Sequence, residues 1–233
     1  MPIHPLFTEA PRQFADDFVG RVRTGTQLNG RPMALGSFRF TTGDPEVAVA
    51  IAEEFGGTPN DWDTTGEDGI EVVTEAKIID IQMNSLKSEY LLWGRNGLIR
   101  SCDGITQNDG SDCYCKATYG SQKEWNAANK QGIACGPSVS ATFKLSSLPD
   151  IGLWSFNSQS KTLANGDPSW KKDITTADEV FSQPITEVEA ALTAAGIGAP
   201  ATLRLVGVSY TTKAGQAVSF TKPVLTIAES VSA

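Results

Sequence analysis

Histidine is almost missing from this 233-residue chain: there is one, His4. That removes most Ser-His-Asp and Cys-His schemes, which need an imidazole to take a proton from the nucleophile. Long apolar runs are missing too. No segment approaches the roughly 18 uninterrupted apolar residues of a membrane span. The opening "MPIHPLFTEAPRQF" has no apolar stretch of signal-peptide length, so a cytoplasmic location with reduced thiols is expected. No G-x-S-x-G, G-x-x-x-x-G-K-[ST] or G-x-G-x-x-G pattern occurs. Basic charge is scarce: Lys+Arg number 19 against 27 Asp+Glu, for a net charge of −8 and a pI near 4.7. Tight phosphate binding needs clustered Lys and Arg. The balance therefore suits a chain that works on a protein or a small molecule. Five arginines (Arg12, Arg21, Arg23, Arg31, Arg39) face Glu9, Asp16 and Asp17 in the first 40 residues, a mild excess of +2 read as a solvated face.

What is present is enough for a core, at 40% hydrophobic and 20% charged residues. No internal repeat or low-complexity tract interrupts the chain. "PMALGSFRFTTGD" (32–44) reads as a strand. "GDPEVAVAIAEEFGG" (43–57) reads as a helix capped by Asp44, with Pro45 at its first position, Val47, Ile51 and Phe55 on one face, and Gly56 as its stop. "GIEVVTEAKIIDIQMN" gives one or two strands. "EYLLWGRNGLIRSCDG" gives a hairpin turning at Arg95-Asn96-Gly97. Residues 138–160 give two strands broken at Pro149. A helix is expected over 184–195, with Ile185, Val188, Leu192 and Ala195 on one face and Gly196 at its end. An antiparallel pair turning at Lys213–Gln216 closes the chain. The elements do not alternate as βαβα. The expected fold is α+β, a mainly antiparallel sheet with a few short helices and a zinc-pinned loop insertion.

That insertion, at about 100–137, contains every cysteine: Cys102, Cys113, Cys115 and Cys135, spaced C-x10-C-x-C-x19-C. Three readings compete. Disulfides are disfavoured in a reducing compartment, and a Cys113–Cys115 bridge would close a one-residue loop. Packed thiols would behave as small hydrophobes, yet "NDGSDCYCKATYGS" is polar and turn-like. The favoured reading is structural zinc with all four cysteines as ligands, since four thiolates close a tetrahedral site with no open position. Paired C-x2-C knuckles are absent, which weakens the pattern. Residues 1–19 are expected to be a flexible tail, and 20–230 a single α+β domain carrying the insertion.

In "NDWDTTGEDGIEV", Asp61, Asp63, Thr65 and Gly66 mimic the opening of a calcium loop. Its twelfth position, however, is Val72, with Glu71 one residue early, so a solvated acidic loop is expected. Trp62, Trp93, Trp125, Trp154 and Trp170 are scattered. Trp154 is expected in a core, and Trp125 is expected to be the exposed one.

Three stretches in order carry a resemblance: "GRVRTGTQLNGRPMALGSFRFTTGDPEVAVAIAEEFGG", the cysteine loop running into "CGPSVSATFKLSSLPDIGLWSFNSQS", and "SFTKPVLTIAE". Together they resemble the recombination directionality factors that temperate phages of Streptomyces encode beside a large serine integrase, over about Gly20 to Ile227. The resemblance implies a non-enzymatic regulator in the cytoplasm of the bacterial host. Its partner is the phage-encoded large serine integrase, which it switches from integration to prophage excision, and it meets DNA only through that integrase. It transfers no contact residues. The loop 104–130 and the helix near 184–195 are candidate partner surfaces, although a self-packed loop and a core-covering helix are the plainer roles. A zinc-structured single-stranded nucleic-acid-binding protein of phage replication is the alternative. A metal-dependent hydrolase built on Asp61 and Asp63 is a weaker one.

Overall fold

The computed structural model describes residues 18–28, 31–63, 68–166, 183–211 and 215–228. Most of the expected N-terminal tail lies outside these residues, as does Trp170. Phe18 and Val19, assigned to that tail, instead open the first strand. Ten strands form one mixed, mostly antiparallel sheet, and five helices accompany it among the described residues. The strands are β1 (Phe18–Leu28), β2 (Arg31–Thr42), β3 (Pro59–Asp61), β4 (Ile70–Val73), β5 (Ile78–Gly94), β6 (Gly97–Cys102), β7 (Gly136–Leu145), β8 (Leu153–Ser158), β9 (Pro200–Thr211) and β10 (Ala217–Ile227). The helices are α1 (Pro45–Phe55), α2 (Tyr114–Thr118), α3 (Gln122–Lys130), α4 (Lys161–Asn165) and α5 (Ile185–Ala195). No helix among the described residues is long and apolar enough to cross a membrane.

Across the sheet the order is β10-β9-β5-β7-β8-β1-β2-β4-β3, with β6 paired to β5 beyond the end of β9. β1 and β8 pair in parallel, and the other pairings are antiparallel. The sheet curls so that β2 meets β9 and β10 across the core. Period-two patterning drives this. β7 turns Val139, Ala141, Phe143 and Leu145 inward, and Ser138, Ser140, Thr142 and Lys144 outward. Phe40 makes an edge-to-face contact with buried Trp154 at 5.1 Å and stacks on Phe55 of α1 at 5.5 Å.

α1 forms as its sequence dictates. The Asp44 carboxylate accepts the Glu46 and Val47 amides at 2.8 and 3.4 Å, and Gly56 ends the helix at φ +75°. Ala48 and Ile51 are buried while Val47 and Phe55 are partly so. α5 likewise buries Ile185 and Val188, with Leu192 against the same core, and packs on β5, β10 and α4. Its apolar stripe is therefore spent inside the molecule. Ala195, expected on that stripe, is exposed.

β5 contains a feature that alternation did not disclose. Met83 pairs with Phe143 but Ser85 with Thr142, so Asn84 is an extra residue in β5. Ile79, Ile81 and Met83 face the core before it. After it the inward phase passes to Leu86, and then to Tyr90 and Leu92 at the far end. Asn84 spends its side chain on Thr142, donating to Oγ1 at 3.0 Å.

The acidic stretch is only in part the solvated loop expected of it: Asp61 and Asp63 are exposed, but Asp68 and Glu71 are tied into the fold. Asp68 is buried; it accepts from Arg21 Nη1 at 2.8 Å and Thr41 Oγ1 at 2.9 Å, with Arg23 Nη2 at 3.8 Å. Arg39 pairs with Glu71 at 3.0 Å. The Trp62 ring lies near the guanidinium carbons of both Arg23 and Arg39, at 4.9 and 4.8 Å. Burial, with Arg39 nearby, lowers the pKa of Arg23. Three N-terminal arginines thus serve an internal network rather than a solvated face. Val72 is in the core, so the calcium-loop mimic lacks its closing ligand. Thr65 and Gly66 lie outside the described residues.

Gly20 of β1 admits no side chain: a methyl there would meet the Thr41 carbonyl oxygen and the Trp154 ring. Gly20→Ala should therefore cost about 1–3 kcal/mol by overpacking. Gly207→Ala, at a strand position with nothing nearby, should change stability by less than about 1 kcal/mol. Urea unfolding of both variants checks the contrast.

Candidate functional site: the cysteine loop

The loop hangs on the far end of the β5–β6 hairpin. Tyr90 pairs with Cys102, Leu92 with Arg100 and Gly94 with Gly97. The turn centres on Arg95-Asn96, one residue earlier than an Asn-Gly centre, and Gly97 takes φ +125° as the first residue of β6. Leu92 pairs with Arg100 while Trp93 pairs with Leu98, which leaves Ile99 as an extra residue. The chain then makes a small second hairpin. Cys102 bridges Gln107, Thr106 bridges Asp112, and the Cys113 amide donates to the Ile105 carbonyl at 2.7 Å. Asx-type bonds fix its two turns. Asp103 Oδ1 accepts the Ile105 and Thr106 amides at 2.7 Å each, and Asp109 Oδ1 accepts the Ser111 amide at 2.9 Å. Cys113 precedes α2, which carries Cys115. Ser121 caps α3 through the Glu124 amide at 3.3 Å. Gly132, at φ +72°, turns the chain back to Cys135 and β7.

This path returns four cysteines, up to 33 residues apart in sequence, to one place. Cys102 Sγ and Cys113 Sγ are 3.3 Å apart, and the Cys135 amide donates to Cys115 Sγ at 3.3 Å. All four are free thiols and all are buried. With Leu92, Ala128 and Ala134 they form a second core, separate from the main one and flanked by Tyr90, Tyr119 and Trp125. Burial, reinforced by Cys113, pushes the Cys102 thiol up to about 11; burial, reinforced by Cys115, pushes Cys135 up to about 12. Such thiols are poor nucleophiles near neutral pH. Burial and the neighbouring cysteines also raise the Tyr90 phenol.

A cleft of about 440 Å³ opens beside the sulfurs, and all four cysteines line it with Tyr90 and Trp125. Trp125, expected to be exposed, is instead half-buried. Its Nε1–H donates to the Cys135 carbonyl at 3.1 Å, its ring meets Tyr90 edge-on at 6.1 Å, and Lys161 Nζ sits 4.4 Å above it. Lys161 also donates to Asn126 Oδ1 at 2.8 Å, and burial beside Lys130 lowers its pKa. Among the described residues, no group of three or more His, Cys, Asp or Glu side chains meets the geometry of a metal-binding cluster. Cys102 and Cys113 form a sulfur–sulfur pair while Cys115 is bonded by the Cys135 backbone amide, so the thiols as they stand do not form the zinc-pinned loop expected of the insertion.

Among the described tryptophans the exposed one is Trp93, at 58% of its surface. Of eleven large apolar residues exposed among those described, six lie between Trp93 and Ile133: Trp93, Leu98, Ile99, Ile105, Tyr114 and Ile133. Arg100 covers the Tyr114 ring at 3.7 Å. The hairpin end and the loop together carry most of the exposed large apolar side chains among the described residues. The sequence held a signal for it: "YLLWGRNGLI" carries apolar residues on both sides of a turn, where a half-buried hairpin would alternate.

The second core is small, and ordering each loop residue costs roughly 1–2 kcal/mol of backbone entropy. Leu92 is its largest aliphatic member. Leu92→Ala should remove about 2–4 kcal/mol of local stability. Proteolysis within residues 103–134 should speed up while amide exchange at Leu203 and Leu205, in the main core, stays slow. Equal loss of protection at both places would show that the two cores unfold together.

A family model described as Gp3-like, recombination directionality factor-like, matches residues 19–228, and the chain belongs to that family. No solved structure matches the chain.

Proposed function

We propose that this member of the recombination directionality factor-like family binds a phage-encoded large serine integrase, of the kind found in Streptomyces phages, and switches it from integration to prophage excision. The family match over residues 19–228 carries the reading. The net charge of −8 and the internal use of Arg21, Arg23 and Arg39 fit a factor that reaches DNA through its partner rather than by gripping phosphates. The integrase supplies the strand-cleaving serine. This chain supplies binding free energy and catalyses nothing.

The physical task is a population shift. Moving an integrase assembly from 1:99 to 99:1 between two arrangements takes roughly 5.5 kcal/mol of differential binding. Anchors of that size come from exposed aromatic and aliphatic side chains on a preformed support. The hairpin and loop around Trp93 and Ile105 offer them. α5, the other surface considered, has already spent its apolar stripe on the core.

The decisive assay uses purified cognate integrase and supercoiled plasmids bearing either the prophage-end sites or the phage and bacterial sites. Adding this protein should enable excision and suppress integration. Trp93→Ala and Ile105→Ser, at positions 58% and 65% exposed, should keep the melting temperature and weaken integrase binding by roughly tenfold or more. If neither reaction responds at any protein ratio while integrase still binds its sites, the directionality reading fails. Salt-dependent binding to labelled single strands would then favour the nucleic-acid-binding alternative.

A further inference from the structure

We propose that Cys102, Cys113, Cys115 and Cys135 bind one zinc ion as a closed tetrathiolate site, and that this ion orders residues 103–134 without being required by the main sheet.

The four sulfurs come from three chain segments: the end of β6, the Cys113–Cys115 turn into α2, and the residue before β7. They meet in one buried cluster lining a single cleft. Four thiolates at about 2.3 Å from zinc stand roughly 3.8 Å from one another. Cys102 and Cys113, at 3.3 Å, are close to that spacing. Metal binding releases the thiol protons to solvent and replaces the sulfur–sulfur hydrogen bond with metal–sulfur bonds. The surroundings suit the charge that results. A tetrathiolate zinc carries −2, Lys116 lines the same cleft, and the Cys135 amide already points at the Cys115 sulfur. The chemistry is selective as well. The sole histidine is His4, far from the loop in sequence, and soft sulfur donors alone favour zinc over magnesium or calcium.

The local reach of the ion follows from the separation of the two cores. Cysteines are four of the seven buried members of the small core and contribute none to the large one. The loop thus depends on its sulfurs, while β7, β8, β9 and β10 do not.

The test uses the full chain purified under reducing conditions from zinc-supplemented cells. Mass spectrometry for metals should find about one zinc per chain. A mercurial should release it as the thiols react, read with a chromogenic zinc indicator. Cobalt(II) added to metal-free protein should give the d–d bands of tetrahedral thiolate coordination, saturating at about one equivalent. Strong chelation should expose residues 103–134 to protease while a fragment containing the main strands survives. Cys115→Ser and Cys135→Ser should each reduce zinc retention at least tenfold. The cobalt titration on unmodified protein decides the matter should either variant fail to fold. Four thiols that react freely with no cobalt spectrum would overturn the site. So would a loss of two hydrogens per cysteine pair by mass, which marks disulfides. Collapse of the whole chain on chelation would overturn the local role.

Discussion

The fold depends on the backbone register of β5. This 17-residue strand pairs with β9 over 78–82, with β7 over 81–91 and with β6 over 90–94. It therefore joins the C-terminal pair β9–β10 to the rest of the sheet and also suspends the cysteine loop. A one-residue slip would turn Ile79, Ile81 and Met83 from the core to solvent. The extra residue Asn84 performs such a slip once, deliberately. It changes the inward phase so that Leu92 and Tyr90 support the second core while Ile79 to Met83 support the first. Two cores are served by one strand because the strand is out of phase with itself.

That division gives the functional reading its physical form. The main core, held by aromatic packing around Trp154 and by the Asp68 and Glu71 ion pairs, is a stable platform. The loop and hairpin beyond it carry most of the large exposed apolar side chains among the described residues, near a small, sulfur-rich core. A regulator that must favour one integrase arrangement over another needs contacts whose positions do not drift, because contacts that adapt equally to both arrangements shift nothing. In the proposed function the platform supplies rigidity, and the loop supplies the surface.

Much of this was legible in the residues. Asp44, Pro45 and Gly56 bracket α1 because caps act locally, and β7 alternates because one face is buried. The four cysteines announced their convergence by proximity and by the polar turns around them. Less legible were features set by partners distant in sequence. Asp68 reads as a loop acid, and only the return of β1 beside β2 brings Arg21 and Arg23 to it. Trp125 reads as exposed in a polar stretch, and only Tyr90, 35 residues earlier, and the Cys135 carbonyl half-bury it. The bulges at Asn84 and Ile99 leave no local mark, since neither residue is a glycine.

The parallel pairing of β1 with β8 bears on the order in which the chain can form. Gly20 lies against Trp154, and Val22 against Phe156. On the ribosome, the first strand emerges more than a hundred residues before its neighbour. β1 can meet β2 at once, but its other edge stays open until β8 has been made, and contacts of such separation form slowly. An unpaired edge invites association with other chains in that interval. The arginines of β1, Arg21 and Arg23, place charge on the waiting strand. The residues that balance Asp68 thus also place charge on the strand whose second edge waits for β8.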